Sequence, residues 1–149
     1  MSYTLQAIIG DASVLRAGRH SNAVVVDLPQ CKGMIPLTNR LFDDNIPFLP
    51  LTGGGGPTSL EPIDEFVLPF LGKGKLIYVE AEFFGGEGTQ ASVTYDENGR
   101  STAPLVDPDA INSALRFLGV QVGDSHDEFD ALGLGKFRKT EDWEGDVTT

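Results

Sequence analysis

The chain has 149 residues, 40% of them hydrophobic and 22% charged, proportions that argue against a disordered protein and suit one domain with a buried core. Its 11 basic and 22 acidic side chains give a formal charge of −11, which argues against a nucleic-acid surface or an anionic membrane surface, since both need clustered Lys and Arg. One cysteine and two histidines exclude an internal disulfide, all-cysteine metal sites and the common zinc motifs.

Met1 to Gly10 carries no basic segment, and its apolar stretch is broken by Thr4 and Gln6, so no signal peptide is expected. No apolar run approaches the ~20 residues that span a bilayer. With a lone thiol at Cys31, the expected compartment is the cytoplasm. The reading is a single globular domain over residues 1–149, with a flexible Gly/Pro-rich loop at about 45–62 and a polar C-terminal tail from about 124.

Tyr3, Leu5, Ala7 and Ile9 alternate with Thr4, Gln6 and Ile8, which predicts a half-buried strand. Asp11 is placed to cap a short helix carrying Val14 and Leu15, stopped by Gly18. The β-branched run Ala23 to Leu28 predicts a strand buried on both faces, and Met34 to Leu37 a strand beside it across the turn Pro29 to Gly33. Thr38 is placed to cap a brief helix through Leu41 and Phe42. Four prolines and the run Gly53 to Gly56 predict a mobile surface loop, and Ile63 to Leu71 a short helix limited by Pro69.

Lys75 to Phe84 then reads as a strand, with Ile77, Val79, Ala81 and Phe83 on one face and Leu76, Tyr78, Glu80, Glu82 and Phe84 on the other. The turn Gly85 to Gly88 leads into Thr89 to Tyr95. Asn98-Gly99 supplies a second reverse turn, and Arg100 to Val106 the third strand of a meander. Asp107-Pro108-Asp109 predicts a helix start with Asp107 as cap. Ile111, Ala114, Leu115 and Leu118 form its buried stripe, and Gly119 its end. The expected fold class is α+β: a largely antiparallel sheet with a central strand meander and short helices packed on one face.

No catalytic motif emerges. Gly86 to Ala91 matches the letters of a dinucleotide fingerprint, but a β-branched strand follows where a helix is needed, so the segment reads as a hairpin turn. Glu80 and Glu82 project from one strand face about 6–7 Å apart, a spacing open to acid–base chemistry, to a hard cation, or simply to a solvent-facing strand side. With Tyr78 and Phe84 they make a mixed aromatic and acidic strip suited to binding.

His126 stands among Asp124, Asp127, Glu128 and Asp130, a grouping that fits either a divalent metal or the acidic first turn of a helix, the latter favoured. His20 reads as surface, and Cys31 as buried or incidental. Trp143 either pins the tail to the body or anchors a partner. The partner-binding candidates are Tyr78, Glu80, Glu82, Phe84, Asp127, Glu128, Asp130 and Trp143; no catalytic residue, metal ligand or cofactor is assigned.

Charge is uneven. Residues 1–74 hold 7 acids and 5 bases, and residues 75–149 hold 15 acids and 6 bases. If that second half gathers its carboxylates on one side, it speeds and orients encounter with a basic protein.

The stretches Tyr78 to Gln90 and Asp127 to Trp143, with the intervening helix Ala110 to Arg116, resemble a family of small uncharacterised bacterial proteins over about the C-terminal half. That resemblance implies no particular activity. In size, charge and expected compartment the chain is also similar to the immunity proteins of polymorphic toxin systems, which implies a basic protein partner. Three functions follow as expectations. The first is a non-enzymatic acidic protein that occupies a basic partner. The second is a small metal-assisted enzyme using clustered carboxylates, and the third a homo-oligomeric subunit joined through a meander edge. The sequence leaves the oligomeric state open.

Overall fold

The computed structural model describes residues 2–18, 25–36, 67, 70, 74–84, 87–97, 99–100, 105–125 and 127–134. The expected loop at 45–62, the brief helix at Thr38, most of the helix expected from Ile63 to Leu71, His20, His126 and the tail carrying Trp143 lie outside the described residues.

The described elements are, in chain order, β1 (Ser2–Asp11), α1 (Ala12–Gly18), β2 (Val26–Asp27), β3 (Lys32–Pro36), β4 (Leu76–Phe84), β5 (Glu87–Asp96), β6 (Gly99–Arg100), β7 (Leu105–Val106), α2 (Ala110–Phe117) and α3 (Glu128–Ala131). The architecture is α+β. The sheet runs β2-β3-β1-β4-β5-β6, with β7 also against β5, and every pairing is antiparallel. β4, β5 and the β6–β7 pieces form the expected meander. Its third strand is described as two short pieces, β6 paired with the C-terminal end of β5 and β7 with its middle.

Strand parity sorts the core. Leu5, Ala7 and Ile9 of β1 share a face with Ile77, Val79 and Ala81 of β4, and there they meet α2 and α3 through Ile111, Leu115 and Leu132. Ile8, Leu76, Tyr78, Val93 and Tyr95 point the other way, onto Val14 and Leu15 of α1 and onto Val67 and Phe70. β1 is therefore buried on both faces over Ala7 to Gly10, rather than half-buried. The helices also divide, with α1 opposite α2 and α3, where a single helix-bearing face was expected. The cause is that Ile8, Leu76 and Tyr78, at even positions toward one end of β1 and β4, are apolar as well, so that part of the second face also needs a cover. β2 departs in the other direction: Val26 is buried and Asp27 exposed, as suits an outer strand.

The α2 stripe is as expected, with Ile111, Ala114 and Leu115 buried and Leu118 partly so. Its start is later than expected. Asp109 rather than Asp107 is the N-cap, and it makes no side-chain capping bond. Asp107 Oδ1 instead accepts from Asp109 N at 2.8 Å in the turn before the helix, and Gln90 Oε1 of β5 accepts from Ile111 N at 3.1 Å. A first-turn N–H that has no acceptor within the helix is thus satisfied from the sheet.

The helix closes on Gly119 at φ +86, where Gly119 N donates to Arg116 O and Val120 N to Leu115 O. This paired closure also brings Val120 against the core. α3 begins as expected at the acidic turn, with Asp127 as N-cap accepting from Asp130 N at 2.8 Å. Among the described residues no helix is long and apolar enough to cross a membrane.

Candidate functional site

The β4 strip does not form an exposed face. Tyr78 is fully buried and Glu80 is 1% exposed, while Glu82 is open to solvent. The register explains the difference. β4 is an interior strand, and Glu80 sits between Gln6 of β1 and Ala91 of β5. Tyr78 Oη donates to Glu80 Oε1 at 2.9 Å, and Gln6 Nε2 donates to Tyr78 Oη at 3.4 Å. Such bonding is what a buried polar group requires. Burial, and then the Glu80 charge, push the Tyr78 phenol well above its usual value, so it remains the proton donor. Tyr78 and Glu80 are consequently interior residues as folded, and the solvent-facing reading of the strand side holds for Glu82 alone. The Phe84 side chain lies outside the described residues.

The acids around α3 are drawn together by α2. Arg116 Nε donates to Glu128 Oε2 at 2.9 Å, and Arg116 Nη2 to Asp109 Oδ2 at 3.1 Å. Asn112 Nδ2 reaches Asp127 Oδ2 at 3.2 Å and Asp109 Oδ1 at 3.3 Å, and Asn112 Oδ1 accepts from Phe129 N at 2.8 Å. Desolvation raises the Asp109 carboxyl, but hydrogen bonds from Asn112, Arg116 and Ser113, with the Arg116 charge, outweigh it and hold the group below its usual value. Of the three candidates here, Glu128 is buried in an ion pair and Asp127 is spent on capping; Asp130 is exposed. Asn112 and Arg116 went unrecognised in the sequence. Their positions three and seven residues after Asp109 are the signal that identifies them as helix partners of that acid.

Tyr3 fixes the far end of this unit. Its hydroxyl donates to Leu134 O at 2.6 Å, and its ring meets Phe129 edge-on at 5.7 Å. Burial raises the phenol pKa above its usual value. Among the described residues no three His, Cys, Asp or Glu side chains form a group able to hold a metal ion. Cys31 is exposed, in the β2–β3 turn, where Gln30 and Cys31 both take positive φ.

The negative charge is not gathered on one side among the described residues. Glu82 lies on the face opposite α2, and Glu97 is exposed in the β5–β6 turn. Asp107 and Asp124 are exposed before and after α2. Four of the described cations are occupied: Arg16 pairs with Asp27, Lys32 with Asp11 at 2.8 Å, Arg116 with Asp109 and Glu128, and Lys75 lies 4.8 Å from the Phe117 ring centre. Among the described residues, the place where such a carboxylate borders exposed large apolar side chains is the end of the meander. Leu105 is 41% exposed and Val106 57%, and the exposed Asp107 and Pro108 follow directly. This corner was not singled out in the sequence, where Leu105 and Val106 read as ordinary strand residues. Compared with known protein families, curated proteins and solved structures, the chain matches none of them.

Proposed function

We propose that the chain is a non-enzymatic acidic binding protein of the bacterial cytoplasm that occupies a basic protein partner, in the manner of an immunity protein neutralising a toxin. The observation that carries this reading is the corner at Leu105 to Asp107: two adjacent exposed apolar side chains beside a carboxylate, on a chain of charge −11. Apolar area supplies affinity once water is expelled, and the surrounding field supplies rate and selectivity. A basic surface meets both features. A second copy of this chain fits less well, because like charge opposes its approach.

The test is retention of a partner on the immobilised protein from the lysate of its own source organism at about 50 mM salt, where screening is weak. The expected result is a basic protein that elutes as salt rises and is held less by the Asp107→Lys variant. Retention of no basic protein at low or high salt contradicts the proposal.

A further inference from the structure

We infer that β7 takes up an extended basic segment of the partner by strand addition, with the Val106 backbone as its hydrogen-bonding point; this rests on the reading of the chain as a binder of a basic protein. In an antiparallel pair, residues that exchange hydrogen bonds with the neighbour alternate with residues whose N–H and C=O point away from it. Asp107 N donates to Gln90 O at 3.2 Å, and the registers Val106↔Ala91 and Leu105↔Ser92 run on from that pair. The Asp107 N–H and the Leu105 backbone groups therefore face β5, the Asp107 carbonyl accepting instead from Ala110 N at 3.0 Å, and Val106 turns its N–H and C=O to the opposite side. Among the described residues β7 pairs with β5 alone.

The two side chains stand on opposite faces of the sheet, as the period of a strand requires, so an added strand gains one apolar neighbour on each face. Chemistry at the corner selects the occupant. Asp107 repels another acidic edge, and Pro108 has no N–H with which to extend the pairing, so long edge-to-edge association of copies is opposed. A short segment with Lys or Arg beside Asp107 and a β-branched residue beside Val106 satisfies the charge, the apolar surface and the backbone together.

The probe is a blocked peptide of about eight alternating Lys and Val residues, long enough for one short strand. It is compared with a Glu–Val peptide and with a Lys–Val peptide whose backbone nitrogens are methylated throughout. The Lys–Val peptide is expected to shift the Val106 amide resonance and slow its hydrogen exchange about tenfold. The Glu–Val and methylated peptides leave that amide unchanged. Val106→Pro is expected to weaken Lys–Val binding about tenfold; should that variant unfold, the comparison of methylated and parent peptides on the native chain decides.

Equal affinity for the methylated and parent peptides, or binding with the Val106 amide unmoved, overturns strand addition and leaves the basic partner standing. Retention of a basic partner from lysate with no Lys–Val binding has the same meaning. Failure of both experiments overturns the underlying reading as well.

Discussion

Tyr3 joins the first strand to the last described helix through its bond to the Leu134 carbonyl and its contact with the Phe129 ring. Tyr3→Phe keeps the ring contact and leaves that carbonyl without its donor, so it is expected to cost about 1 kcal/mol in urea denaturation. Asp109 makes a pH-dependent contribution. Its carboxyl is held below the usual value of 3.8, so its ionised form favours the folded state. That contribution is present above 3.8 and disappears as pH falls through the lowered value. Asp109→Asn is expected to flatten this acid limb when stability is followed by denaturation across the acid range, and because the group is exposed the difference shrinks in high salt. Single residues were the least legible part of the sequence. Glu80 looks like any strand carboxylate until the register sets it between Gln6 and Ala91, and that register depends on a β1–β4 pairing more than seventy residues apart. Gln90 capping α2 from β5 is equally non-local.

Elements were more legible where their signals were local. The i, i+3, i+4 stripe of α2, its stop at Gly119 and the acidic helix start at Asp127 to Asp130 are each written within a few residues, and each forms as expected, with Asp127 serving as the cap of α3. The start of α2 and the division of helices between two faces depend on what the sheet presents, which no local pattern contains. Packing of α1 on β3 is a case in point. A Cβ on Gly33 would lie 3.2 Å from Ala12 Cα and 3.3 Å from Leu15 Cδ1, with backbone on one side and a fully buried side chain on the other. Gly33→Ala is therefore expected to lower stability by about 1–2 kcal/mol, the gain in unfolded-state rigidity being smaller than the strain. The urea midpoint should fall with an unchanged slope. An unchanged midpoint would mean that α1 slides on β3 freely.

At the scale of the whole molecule, α+β class and the antiparallel meander were legible because alternation and turn residues recur along β4 and β5. Charge distribution was not. The acid excess of residues 75–149 is a sum over positions that folding sends to different places: Glu80 inside, Glu128 onto Arg116, Glu82 to the far face and Asp107 to the open edge. On this account the total charge draws the partner in, and the last of these, Asp107, fixes where it docks.

The most direct measurement is the dissociation constant of the retained basic partner for two charge reversals of equal size, Asp107→Lys at the corner and Glu82→Lys on the opposite face. The account predicts a loss of about tenfold for Asp107→Lys and almost none for Glu82→Lys, with both variants folded. Equal losses for the two would show that net charge alone attracts the partner, and a loss confined to Glu82→Lys would place its docking surface on the other side of the sheet.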